Sequence, residues 1–193
     1  MGDRMGRPAR FDTDLLLNVA LDLAAADGPE AVTMAGVAEG AGAPSGSVYH
    51  RFAGRPALLA ALWNRTVGVF QEELLPALAE GDGPGAARRV VAFCRAHSRE
   101  AAVLLQGARA FGRDGWPPEE RAVAAAREEA LANALHALAA ALGLRGVEGR
   151  ERVMLAVVDV PYAIARRHLR GADGRVPPRA AEQAAAAAAA LLR

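Results

Sequence analysis

Residues 33–55, TMAGVAEGAGAPSGSVYHRFAGR, decide how this chain is read. Met34, Val37, Ala38 and Ala41 recur at helical spacing, behind Thr33, whose hydroxyl can cap a helix start. Gly42 suits the left-handed backbone that stops a helix. Pro44 or Ser45 then opens a second helix, since Pro is tolerated in a first turn and Ser caps well. Val48 and Phe52 are four apart and share an inward face. Ser45, Gly46, Ser47, Tyr49, His50 and Arg51 are left for the outer surface. Two short helices joined by a tight, Gly-containing turn form the helix-turn-helix unit, whose second helix enters the major groove of DNA. Small residues at that helix start let the backbone approach a groove, and Tyr, His and Arg donate to phosphates. Ser45, Gly46 and Ser47 offer few base-edge donors, so no operator sequence is readable.

Working outward, further pieces fall into order around this unit. They are the helix Leu15-Leu16-Leu17-Asn18-Val19-Ala20, the stretch Gly28 to Val37, Ala41-Gly42, Gly46 to Phe52, and Arg55 followed by Leu58-Leu59. Together they resemble the N-terminal domain of the TetR family of bacterial transcriptional regulators, over about residues 10–60. Pro44 stands where that family more often has Ser or Thr. Arg55 stands where Lys is usual, and Pro56 where an acidic residue is common. None of these breaks the geometry, because Pro favours a helix start and Arg keeps the charge. The resemblance implies a DNA-binding set of Thr33, Ser45, Gly46, Ser47, Tyr49, His50, Arg51 and Arg55, with Arg7 and Arg10 of a flexible arm reaching the adjacent minor groove or backbone. It also implies a ligand-responsive repressor that binds a palindromic operator as a homodimer and takes an unidentified small hydrophobic or amphipathic effector. An alternative is the same fold acting as a protein-binding or non-inducible module.

Composition sets bounds. A chain of 193 residues fits one or two small domains. It is 52% hydrophobic but only 5% aromatic, so its core must be mostly Ala, Leu and Val, which favours closely packed helices. All basic residues are Arg, and the net charge is +1. Residues 1–55 hold five Arg and seven acids, a net of −2, so bulk charge does not draw this end to nucleic acid and the distribution of Arg matters more. The single Cys94 excludes an intramolecular disulfide and reads as a core thiol in a reducing compartment. The longest apolar run, Ala184 to Leu192, falls short of the ~20 residues that span a bilayer. A soluble, cytoplasmic protein is the expectation. His50, His97, His136 and His168 lie on separate elements, and no metalloprotease, nucleophile-elbow, phosphate-loop or zinc spacing occurs. Neither an enzyme nor a metal or other cofactor is expected.

The chain reads as all-α, with about nine helices. A DNA-binding domain of three helices is expected over residues 1–55, with residues 1–10 as its arm, and a helical ligand-binding and dimerisation domain over residues 56–193. The expected helices run from Asp12 or Thr13 to Gly28, 33–41, 45–52, 55 to about 80, 86–97, 98–112, 119–142, 150–169 (bent at Pro161) and to Leu192. Phe93, His97, Gln106, Arg109, Trp116, Asp159 and Tyr162 are the polar or aromatic residues in a domain otherwise built of Ala, Leu and Val, and they are the candidate ligand-binding set. The resemblance implies that the last two helices, through Val153, Ala156, Val157, Val160, Ile164, Ala184, Ala188 and Leu191, form the dimer interface.

Overall fold

Asp12 fixes where the first helix begins: its carboxylate accepts a hydrogen bond from the Leu15 N–H at 2.8 Å. The computed structural model describes residues 12–171 and 174–193. Arg7 and Arg10 lie outside the described residues. Helix α1 (Thr13–Asp27) stops at Gly28, which carries φ +85°. A single 3-10 turn (Pro29–Ala31) leads to α2 (Met34–Gly40), capped by Thr33 Oγ1 accepting from Gly36 N at 2.9 Å. Gly42, at φ +60°, turns the chain into α3 (Ser45–Arg51). The long helix α4 (Arg55–Ala79) spans about 37 Å at 1.5 Å per residue and runs through Pro76 without stopping. Helices α5 (Gly83–Ala96), α6 (Ser98–Leu104), α7 (Pro118–Ala141), α8 (Gly146–Leu169) and α9 (Arg179–Leu191) complete the architecture. The described residues thus form nine α-helices and no strand.

Three boundaries differ from the sequence expectation, each for a local reason. Helix α5 starts at Gly83 rather than near residue 86, because Asp82 caps it by accepting from Gly85 N at 3.0 Å. Helix α6 ends at Leu104 rather than near residue 112. Gly107 and Gly112 both take left-handed backbone (φ +79° and +70°), so the chain goes through turns and a 3-10 segment, Arg113–Gly115. Helix α8 starts at Gly146 rather than near residue 150, and it runs on through Pro161. A π turn over Leu155–Asp159 lies just before it, and this wider winding accommodates a residue with no N–H to donate.

Two apolar clusters form the core. One joins α1, α2, α3 and the first turns of α4, through Leu16, Val37, Val48, Phe52, Leu58 and Leu62, and it recruits Val103, Phe111, Trp116 and Ala124 from farther along the chain. The other joins the rest of α4 with α5, α7, α8 and α9. Helix α9 packs mainly on α5, with its alanines Ala180, Ala184 and Ala188 fully buried. The Arg88–Glu182 pair ties the same two helices at 2.9 and 3.1 Å. Cys94 is buried in this second cluster, and burial pushes its thiol pKa up to about 12. No single helix among the described residues is long and apolar enough to cross a membrane.

Candidate nucleic-acid interface and ligand cavity

Helix α3 is held by Val48 (0% exposed) and Phe52 (5%), which sit in the first core cluster. That packing turns the rest of the helix outward. Ser45, Gly46, Tyr49, His50 and Arg51 are exposed and Ser47 is half-buried, and Tyr49 is 61% exposed. Six of the residues expected from sequence therefore lie on one short helix, on the sides not taken by Val48. Arg51 also donates to Thr13 Oγ1 at 3.2 Å, which braces the end of α3 against α1.

Arg55 and Thr33 have structural duties beside this face. The Arg55 guanidinium donates from Nε to Val32 O at 2.8 Å and from an Nη to Pro29 O at 2.7 Å, with Glu30 at 3.4 Å. It clamps the 3-10 turn that leads into α2, and so sets how the helix-turn-helix unit sits on α4. Arg55→Ala is expected to cost about 2–3 kcal/mol, the usual size for charged donors lost from main-chain carbonyls. Urea denaturation measures it, and a loss under about 0.5 kcal/mol would show that the clamp is idle. Arg55→Lys is expected to recover less than half, because one ammonium does not reproduce the fork.

Behind this unit lies a cavity of about 510 Å³ between α4, α6, α7 and α8. Its apolar lining comes chiefly from Trp63, Val67, Phe70, Leu104, Leu131 and Val158. The polar lining is Asn64, Gln71, Glu128, Asp159, Tyr162 and Arg166. The π turn places Val158 and Asp159 on this wall. Asn64 and Gln71 are 5% and 4% exposed, and Asn64 Oδ1 is buried without a partner. An acceptor left so costs about 1–3 kcal/mol. Burial, with a smaller contribution from Cys94, holds the Tyr162 phenol pKa well above its ordinary value. Arg113 meets Glu128 with both guanidinium nitrogens, Nη2 to Oε2 at 2.8 Å, and this hydrogen bonding holds the Glu128 carboxyl below its usual range.

Of the seven ligand residues expected from sequence, Asp159 and Tyr162 line this cavity and the other five do not. Phe93 is fully buried core, edge-on to Phe70 and stacked on His97 at 4.9 Å. His97 Nε2 pairs with Glu73 at 2.9 Å. Gln106 donates to Ala24 O at 3.2 Å and so ties the end of α6 to α1. Arg109 is exposed. Trp116 is 1% exposed, and its indole N–H donates to Phe111 O at 2.8 Å. Sequence reasoning passed over Trp63, Asn64, Gln71, Glu128 and Arg166. A signal for two of them was present: Asn64 and Gln71 are polar residues seven apart on the same stripe of α4 as Val67 and Phe70.

The candidate dimer residues need correction. Val153, Ala156, Val157, Ala184 and Ala188 are all 0% exposed inside the subunit itself, so they face its own core and not a partner. Val160, Ile164 and Leu191 are half-buried. The exposed residues of α8 include Leu155 (43% exposed) and also Asp159, Ala163 and Arg166, which line the cavity. Those of α9 include Gln183, Ala186 and Ala190. The buried alanines of α9 pack on α5 of the same subunit.

Trp63 connects the two regions. It lines the cavity, and its ring lies 5.4 Å from Phe111 and 6.5 Å from Trp116, both members of the core cluster that holds α3. Helix α6 offers a second link, since Leu104 lines the cavity while Arg99 pairs with Asp22 of α1.

Comparison with known proteins agrees with this geometry. Residues 16–62 match the family described as bacterial regulatory proteins, tetR family. A transcriptional regulator from Rhodococcus sp. Rha1 is similar in structure, with TM-score 0.70 and 24% identity over 94% of this chain and 96% of that one. FadR from Bacillus subtilis, solved in complex with stearoyl-CoA, has TM-score 0.70 and 14% identity over 94% of this chain and 98% of its own. A TetR-like regulator from Rhodococcus sp. RHA1 has TM-score 0.67 and 19% identity over 96% of each chain. No curated protein matches the chain. An outward-facing α3 on a matched helix-turn-helix domain, and a likeness that spans nearly the whole chain, lead to one assignment: residues 16–62 form a helix-turn-helix domain of the tetR-family type of bacterial regulatory proteins, and the chain as a whole has the fold of solved transcriptional regulators.

Proposed function

We propose that this regulator is a ligand-responsive repressor that binds a palindromic operator as a homodimer. The observation that carries the reading is Trp63, which touches both the cavity and the core that positions α3. A molecule entering the cavity meets Trp63 and Leu104, and through them the packing of Phe111, Trp116 and α1. Two copies joined along the outward faces of α8 and α9 would present two α3 helices to successive major grooves, ~34–36 Å apart. Occupation of the cavity shifts that spacing, with a coupling of about 1–3 kcal/mol as the usual size. The stearoyl-CoA bound by the similar FadR supports a ligand with an apolar body. Ser45, Gly46, Ser47, Tyr49, His50 and Arg51 make the DNA contact, with Thr33 and Arg55 holding the unit in shape and Arg7 and Arg10 extending it.

A gel shift with the DNA upstream of the protein's own gene, across a salt series, tests this. The expected result is palindrome-specific binding that weakens with salt. Tyr49→Ala is expected to weaken it about 5–10-fold, as for one lost phosphate hydrogen bond of roughly 1 kcal/mol. No specific complex at any salt would sink the reading. The net −2 of residues 1–55 favours a second reading, a protein-binding or non-inducible module. On that reading Tyr49→Ala changes nothing.

A further inference from the structure

The amides of Asn64 and Gln71 have a fixed direction. They stand on α4 seven residues apart, about 10 Å along the helix at 1.5 Å per residue. Asn64 Nδ2 donates to Glu120 O at 3.0 Å and to Glu120 Oε2 at 2.7 Å. Gln71 Nε2 donates to Arg127 O at 2.7 Å. A main-chain carbonyl only accepts, so these bonds decide which end of each amide is nitrogen. The amide oxygens are left over, and among the described residues nothing donates to either.

The other polar groups of the cavity do not reverse this sense. Glu128 is an acceptor already met by Arg113. Asp159 and Arg166 are exposed and of opposite charge. The Tyr162 hydroxyl works in either sense, and the remaining donors are the Trp63 indole N–H and the exposed Arg166 guanidinium, so the buried polar side chains of the wall, Asn64 and Gln71, are the ones that present acceptors. The Arg127 guanidinium lies against Gly68, and Arg127 is not among the lining residues.

We propose that the cavity takes a lipophilic molecule carrying hydrogen-bond donors, hydroxyl or N–H, and discriminates against one whose polar head is a carboxylate. This rests on the cavity being the effector site proposed above. A ligand that brings only acceptors leaves the two amide oxygens desolvated and unpaired, while an alcohol or amine pairs them. Sites built around polar groups discriminate strongly in this way.

The test uses three probes of equal chain length, 1-dodecanol, dodecylamine and dodecanoate, each below its aggregation limit. Binding to the full-length protein is followed by intrinsic tryptophan fluorescence, to which both Trp63 and Trp116 contribute, and confirmed by calorimetry. The alcohol and the amine are expected to bind at least tenfold more tightly than the carboxylate. Gln71→Met is expected to shrink that ratio at least threefold, by weakening the alcohol and the amine and by relieving dodecanoate of an unpaired acceptor. A carboxylate that binds as tightly as the other two, or a ratio that Gln71→Met does not alter, overturns the inference and leaves the effector site standing. Failure of all three probes to bind overturns the effector-site reading along with it. The ratio in the unaltered protein decides the matter even where the variant does not fold.

Discussion

Trp116→Ala is expected to remove about 3–5 kcal/mol of stability, the range for a fully buried aromatic cut back to Ala. That is a large share of the 5–15 kcal/mol typical of a folded domain. Trp116 is 1% exposed in the core that holds the helix-turn-helix unit. Its ring lies 6.5 Å from that of Trp63, and its N–H donates to Phe111 O at 2.8 Å. The truncation therefore opens a cavity and strands a carbonyl together. Urea denaturation followed by circular dichroism measures the loss, and specific DNA binding should fall with it because α3 rests on the same core. Trp116→Phe keeps most of the ring and loses the hydrogen bond, so about 1–2 kcal/mol is expected. A loss under about 1.5 kcal/mol for the Ala variant would mean that this core collapses around the gap.

The second large effect follows from the proposed dimer. Leu155 is 43% exposed on α8. Leu155→Glu places a carboxylate, and its copy, where two subunits would meet. Burying unpaired like charges costs several kcal/mol. The variant is expected to be monomeric by light scattering at micromolar concentration, with the same thermal midpoint for its isolated fold. Operator affinity is expected to fall toward the non-specific level, roughly 10³-fold or more. An undiminished dimer would place the interface elsewhere. A monomer that still bound its operator fully would separate dimerisation from recognition.

How much was legible in the sequence varies along the chain. Helix ends with their own local chemistry were readable: Asp12, Thr33, Gly28 and Gly42 act as the sequence implies. The cap at Asp82 was missed because the Gly-rich run around it reads as a break, although Pro84 sits comfortably in a first turn. The early end of α6 was missed because a lone Gly inside an apolar pattern is tolerated, and only the backbone shows that Gly107 and Gly112 both go left-handed. Polarity within the second domain was a poor guide to its cavity. Aromatic and polar side chains such as Phe93, His97 and Trp116 found partners in packing, whereas the cavity fell where α4, α6, α7 and α8 leave space.

The sequence by itself determined the all-helical architecture, the helix-turn-helix unit and the outward face of α3, because these depend on caps, breakers and 3.6-residue periodicity within a few turns. Only the tertiary structure decided what Arg55 holds, which side of α8 and α9 is free, and which residues line the cavity. Each of those depends on contacts between residues far apart in the chain. Val32 and Arg55 are 23 positions apart, and Asn64 and Glu120 are 56. Ala184 is buried because α5 lies against it, and the same residue on an open helix would have been surface.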